Sequence, residues 1–169
     1  MSRVESFPPI VSGKSRVLIL GSMPGTASLK AGQYYAHPRN AFWPIMGRLF
    51  DAGPQWPYEQ RVKRLLQAGV ALWESLEACV RPGSLDTSIT DEVPNDFASF
   101  FAQHPRIRHV YFNGAKAETS FRRHVLPLPS SGAERLYTRL PSTSPAHAGM
   151  PFEAKVKAWS VVRKALCDL

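Results

Sequence analysis

The run Arg16 to Leu20 (RVLIL) is almost continuously apolar and ends at Gly21. A strand with one wet face alternates apolar and polar residues, so a run without a polar face belongs to a strand covered on both sides. Such strands sit in parallel sheets, whose neighbours must be joined by crossovers, usually helices. The chain supplies the alternation this demands. Helical spacing predicts a helix from about Ala41 to Phe50, with Pro44 tolerated in its first turn, and another near Tyr58 to Gln67 that buries Val62, Leu65 and Leu66 and stops at Gly69. Val70 to Leu76 (VALWESL) reads as a second strand. Asn95 is placed to cap a helix that carries Phe97, Phe100 and Phe101 and ends before Pro105, and His109 to Asn113 (HVYFN) reads as a third strand. A helix over Ala115 to His124, a fourth strand over Leu136 to Leu140 and a last helix from Pro151 complete the pattern. That last helix puts Phe152, Val156, Trp159, Val162 and Leu166 on one face and its lysines on the other. The expected fold class is α/β, a three-layer α/β/α sandwich around a short, mainly parallel four-stranded sheet.

At 169 residues, 44% of them hydrophobic, the chain has the size of one compact domain, and a single domain over 1–169 is expected. Lys and Arg number 21 against 13 Asp and Glu, a formal charge of +8 that suits a polyanion such as DNA, although many proteins with other roles are as basic. No stretch approaches the ~20 apolar residues of a membrane span and the start lacks a signal-peptide layout, so a cytoplasmic location with no membrane partner is expected. Only Cys79 and Cys167 occur, without a CxxC, so cysteine can build neither a zinc site nor an iron–sulfur cluster; both are expected as reduced, packed thiols. His104, His109 and His124 form no metal-binding spacing with a carboxylate. Neither a metal nor an organic cofactor is implied.

In parallel sheets ligands bind beyond the carboxyl ends of the strands, and the loops after the first, third and fourth strands are the ones rich in Gly, Pro, Ser, Asn and His. The first, Gly21-Ser22-Met23-Pro24-Gly25, lacks the Lys-Ser/Thr of a phosphate loop and the third glycine of a dinucleotide fingerprint. Nucleotide hydrolysis and NAD binding are therefore disfavoured, but its amides can still face a phosphate or a base carbonyl. Gln33 to Trp43 (QYYAHPRNAFW) then gathers two tyrosines, polar groups and a helix cap where a pocket would lie. Asn40 can cap the following helix, and Phe42 and Trp43 are expected in the core. His37 is balanced between contact with a base or phosphate and a structural role in its turn. Asp86 is open to orienting pocket groups, with an ion pair to an arginine favoured. Arg39, Lys116, Arg122 and Arg123 are candidate phosphate contacts against a default of solvated surface charge.

Taken in order, LGSMPG, QYYAHPRNAFW, YFNG and LPSTSPAHA resemble the uracil-DNA glycosylase superfamily, and within it the hypoxanthine-DNA glycosylase branch, over about Arg16 to Gly149. The resemblance implies a monofunctional DNA glycosylase that removes a deaminated base, works without a cofactor and is expected to be a monomer. It makes Asn40 the catalytic position and Asn113 the reader of the flipped base, with Tyr35, less so Tyr34, stacking on that base. Gly21, Ser22, Met23 and His37 complete the implied base-binding set. The loop Ser142 to Gly149, with Ser142, Ser144, Pro145, Ala146 and His147, corresponds to the segment that pins the minor groove and fills the gap. Two positions depart from the wider superfamily: Met23 stands where the classical uracil enzymes carry a water-activating aspartate, and Leu140 stands where they carry a catalytic histidine, His147 lying several residues later.

The chemistry accommodates so few charges. Cleavage of an N-glycosidic bond passes through an oxocarbenium-like sugar and is helped by hydrogen bonds to the departing base. A neutral asparagine cannot act as a general base, so Asn40 would orient a water while the bond breaks dissociatively. An amide at Asn113 could match the carbonyl and ring N–H that hypoxanthine and uracil present side by side. Preference for uracil or a broader mismatch spectrum is the alternative within the same class. A catalytically silent DNA-binding module and a nucleoside hydrolase are the alternatives outside it.

Overall fold

The computed structural model describes residues 3–129 and 134–167. Among them the strands are β1 (Arg3–Glu5), β2 (Val17–Gly21), β3 (Val70–Glu74), β4 (Leu76–Val80), β5 (Thr90–Pro94), β6 (His109–Asn113) and β7 (Leu136–Leu140). The α-helices are α1 (Thr26–Ala31), α2 (Phe42–Phe50), α3 (Tyr58–Ala68), α4 (Phe97–Gln103), α5 (Ala115–His124) and α6 (Phe152–Cys167). A four-stranded sheet in the order β3-β2-β6-β7 is parallel throughout, with β2 central and Val17 beside both Val70 and His109.

Alternation along β2 divides the core in two. Val17 and Ile19 face a cluster with Phe42, Ile45 and Met46 of α2, Leu65 of α3 and Trp159 of α6. Leu18 and Leu20 face the opposite cluster, with Phe97, Phe100 and Phe101 of α4 and Phe121 of α5. Helices therefore cover both faces, the arrangement that the all-apolar strand demanded.

Four findings revise the sequence reading. Val70 to Leu76 is not one strand: Ser75 donates from its amide to Gly21 O at 2.7 Å and from its hydroxyl to Ala117 O at 2.8 Å, and the chain turns there into β4. β4 pairs antiparallel with β1 and β5 in a separate three-stranded sheet, over a small core of Met23, Leu76, Cys79 and Ile89. The cap of α4 is Asp96, whose carboxylate accepts from Ser99 N at 3.1 Å, whereas Asn95 donates its side-chain amide to Glu74 O. The lysines of α6 do not share an outer face, because Lys155 is buried. Cys79 is buried as expected but Cys167, at the exposed end of α6, is not packed. No helix among the described residues is long and apolar enough to cross a membrane.

Candidate active site

The carboxyl ends of β2, β3 and β6 and the loop after β7 enclose a pocket of about 330 Å³. It is lined by Gly21, Ser22, Met23, Tyr35, His37, Asn40, Asn113, Ser142, Ser144, Pro145, Ala146 and His147, whereas Tyr34 and the candidate phosphate contacts Arg39, Lys116, Arg122 and Arg123 lie outside it. These come from four separate stretches of chain that the sheet topology brings to one end.

Asn40 sits just before α2. Its Oδ1 accepts from Phe42 N at 2.9 Å, and its own N–H donates to His37 O at 2.9 Å, so the amide is pinned by the turn that starts the helix while it borders the pocket. His37 Nδ1 accepts from Arg39 N at 3.0 Å, which leaves the ring proton of the neutral imidazole on Nε2. The two tyrosines separate cleanly. Tyr34 is a core residue whose hydroxyl donates to Pro8 O and whose carbonyl accepts from Trp43 Nε1 at 2.8 Å. Tyr35 lines the pocket, with its ring stacked on Phe42 at a centroid distance of 4.0 Å. Its backbone is left-handed, with φ of 56°, an uncommon state for a bulky residue. Burial pushes the Tyr35 hydroxyl above the usual phenol range, Glu74 adds to this, and the neighbouring Asn113 amide opposes it without completing a hydrogen bond.

Asn113 ends β6, nearly buried, and its amide is engaged on both atoms. Nδ2 donates to Thr143 Oγ1 and Oδ1 accepts from Thr143 N, each at 2.9 Å, which leaves one N–H and one lone pair free. Gly114 follows with φ of 92°, and a methyl there would meet Ser142 Cβ at 3.1 Å, so the close approach of the two loops needs glycine. Thr143 also accepts at its carbonyl from Ala41 N at 2.9 Å. Beyond it, the Ser142 and Ser144 hydroxyls accept from the amides of Ser144 and Ala146 in successive turns. Lys155 reaches back from α6 to donate to His147 O at 2.7 Å, and burial lowers its pKa.

The opposite wall was largely missed from sequence. Ser22 donates to Asp86 Oδ1 at 2.6 Å, so Asp86 orients a pocket group, and no arginine pairs with it among the described residues; the favoured ion-pair reading is corrected. Ser84 binds Thr26 through both the backbone amide and the hydroxyl. Arg81 is buried and donates to the carbonyls of Pro24 and Gly83. Met23 borders the pocket while packing with Leu76, Cys79 and Ile89. Glu74, at the end of β3, is 2% exposed and lines the pocket with Oε2 unpartnered. Burial first and Asp86 second push its carboxyl well above the usual range, with Arg81 opposing. A carboxylate inside the apolar run VALWESL was the available clue. Of the candidate phosphate contacts, Lys116 pairs with Glu92 at 2.5 Å and Arg122 with Glu118 at 3.1 Å, while Arg39 and Arg123 are exposed.

Comparison with known proteins places the chain in a family. The family model of the uracil DNA glycosylase superfamily matches residues 8–163. A hypoxanthine DNA glycosylase from Methanosarcina barkeri is 37% identical over 114 residues, covering 67% of this chain and 72% of that protein. A hypoxanthine DNA glycosylase from Methanosarcina acetivorans is 35% identical over 144 residues, covering 80% and 90% respectively. The solution NMR structure of a candidate uracil DNA glycosylase from Methanosarcina acetivorans superposes with a TM-score of 0.79 at 31% identity, covering 98% of this chain and 99% of that one.

Proposed function

From the premise that this chain belongs to the uracil-DNA glycosylase superfamily and is a DNA glycosylase, we propose that its pocket receives an extruded deaminated base, preferably hypoxanthine, and that its N-glycosidic bond is hydrolysed there to leave an abasic site. The observation that carries the reading is the convergence of Asn40, Tyr35, Asn113 and the loop 142–149 on one pocket at the strand ends. The preference for hypoxanthine is supported by the names of the two Methanosarcina relatives. Uracil is the second reading, favoured by the description of the structural relative.

In this scheme the bond breaks dissociatively, because the amide of Asn40 cannot take a proton from water. With Oδ1 pinned by Phe42 N, the amide keeps one lone pair and its N–H₂ group to hold a water against the forming oxocarbenium ion. Tyr35 offers an aromatic surface held in place by Phe42. The free donor and acceptor of Asn113 are available to the base edge. The loop 142–149 enters the duplex, fixed from behind by Lys155, and the +8 charge of the chain favours the phosphate backbone. Alkali-developed nicking of single- and double-stranded oligonucleotides containing hypoxanthine, uracil or xanthine tests the reading. Hypoxanthine strands are expected to be cut fastest, and failure to cut any of them overturns it.

A further inference from the structure

One group in the pocket has no task in that scheme. Glu74 is buried to 2% exposure at the end of β3, borders the pocket, and leaves Oε2 without a hydrogen-bond partner. No cation pairs with it among the described residues, since the Arg81 guanidinium is turned to the carbonyls of Pro24 and Gly83. The carboxyl lies against the β2 backbone: a methyl group on Gly21 would lie 2.6 Å from Oε2. An unpaired carboxylate in such a place, with Asp86 nearby, is strongly disfavoured, so burial shifts the balance towards the neutral acid. The other titratable groups facing it are Arg81 from the end of β4, Asp86 from the turn before β5, and Tyr34 and Tyr35 from the segment before α2; His37 lines the same pocket.

We propose that Glu74 reads the base, donating its carboxylic proton in a hydrogen bond to the carbonyl oxygen of a lactam such as hypoxanthine while its own carbonyl oxygen accepts from the adjacent ring N–H. This assignment rests on the glycosylase reading above. A carboxylic acid has a donor and an acceptor on neighbouring atoms, the complement of the lactam edge. A carboxylate would accept from the N–H but repel the carbonyl oxygen, where negative charge gathers as the base departs. No covalent bond forms at Glu74, and its proton stays on the carboxyl. Asn113 keeps one N–H after its bonds to Thr143. Because a base carbonyl has two lone pairs, that N–H and the Glu74 acid can both donate to it, the single ring N–H then going to Glu74 and not to the Asn113 lone pair.

The test compares wild type, Glu74→Gln and Glu74→Ala in single-turnover excision of hypoxanthine and in binding of free hypoxanthine from about pH 5.5 to 8.5. Glutamine keeps a donor and an acceptor at every pH, and excision is expected to stay within about tenfold of wild type, whereas alanine loses about 100-fold. Where the carboxyl ionises within this range the ratio of wild type to Glu74→Gln falls with rising pH, for both excision and binding; ionisation of the base itself cancels in that ratio. Infrared difference spectra are expected to show a protonated-carboxyl C=O band at neutral pH that Glu74→Gln removes. A ratio that rises with pH, or absence of that band, overturns the proposal. A wild-type protein that excises no base overturns the glycosylase reading instead, and the infrared band and the pH-dependent binding of free hypoxanthine still decide the role of Glu74.

Discussion

Across the pocket, the wall built by β6, the loop after β7 and the start of α2 is dominated by amides and hydroxyls, while the wall built by β3 and the segment after β4 holds Glu74, Asp86 and Arg81. On the first wall each polar side chain is held by a close partner: Asn113 by Thr143, Asn40 by Phe42 N, Ser142 and Ser144 by amides two residues on. On the second, the partners are far apart in sequence, as in Ser22 with Asp86, Thr26 with Ser84 and Arg81 with Pro24, and one carboxyl oxygen has no partner at all. The first wall is a template whose geometry is fixed before a ligand arrives. The second stores an unsatisfied group whose protonation depends on its surroundings.

If the neutral wall supplies the chemical step, Asn40→Ala gives the largest effect, a fall of about 100-fold or more in single-turnover excision with DNA affinity retained. Wild-type excision by that variant would move the chemistry to the other wall. Asn113→Asp comes next, because an ionised carboxylate repels a base carbonyl and breaks the donor bond to Thr143 Oγ1. We expect losses of tens-fold in excision, beyond those of Asn113→Ala, and about 1–3 kcal/mol of stability by urea unfolding. Equal excision by the two variants would make Asn113 a structural tie only.

The charged wall is probed by Gly21→Ala, whose methyl would sit 2.6 Å from Glu74 Oε2 and must push the carboxyl aside. Excision is expected to drop about tenfold with little change in salt-dependent DNA binding, and unchanged kinetics would show that the carboxyl's placement is immaterial. The smallest effect is one of stability. Because the folded-state pKa of Glu74 is raised above its usual 4.5, both states are protonated below that value and the folded protein holds the extra proton above it. Stability attributable to Glu74 thus falls as pH climbs from the ordinary carboxylate range towards the folded pKa, by at most about 1.4 kcal/mol per pH unit. Glu74→Gln should melt higher than wild type, by a margin that widens with pH; parallel melting curves at pH 5 and pH 7 would show that the group is already ionised in the folded chain.

The contrast between the walls also sets what could be read from the sequence. The parallel sheet was legible because VLIL and HVYF carry no polar face, and β6, α5 and β7 fall on the expected residues. The three-stranded sheet was not, since VALWESLEACV runs apolar through the break at Ser75, and that break is made by contacts with Gly21 and Ala117, distant in sequence. The neutral wall left local signatures in HPRN and STSPAH, whose turns are held by amides two residues on, and in YFN, where an amide ends a buried strand although its partner Thr143 lies far along the chain. Asp86 and Glu74 left none of that kind: what each does depends on a partner, or on the lack of one, that folding alone brings near. Asp96 caps α4 in place of Asn95, whose side-chain amide is taken up by Glu74 O at the end of β3, a partner distant in sequence.

Thr143 makes three contacts that tie its own loop to two other parts of the pocket: its hydroxyl and its amide hold Asn113, and its carbonyl holds the amide of Ala41, next to Asn40. Displacing one of these parts by a few tenths of an ångström therefore loads the others through short, stiff links. Under the proposed scheme, an error in the seating of the loop on a duplex would reach the Asn40 amide through these links as a change in its aim.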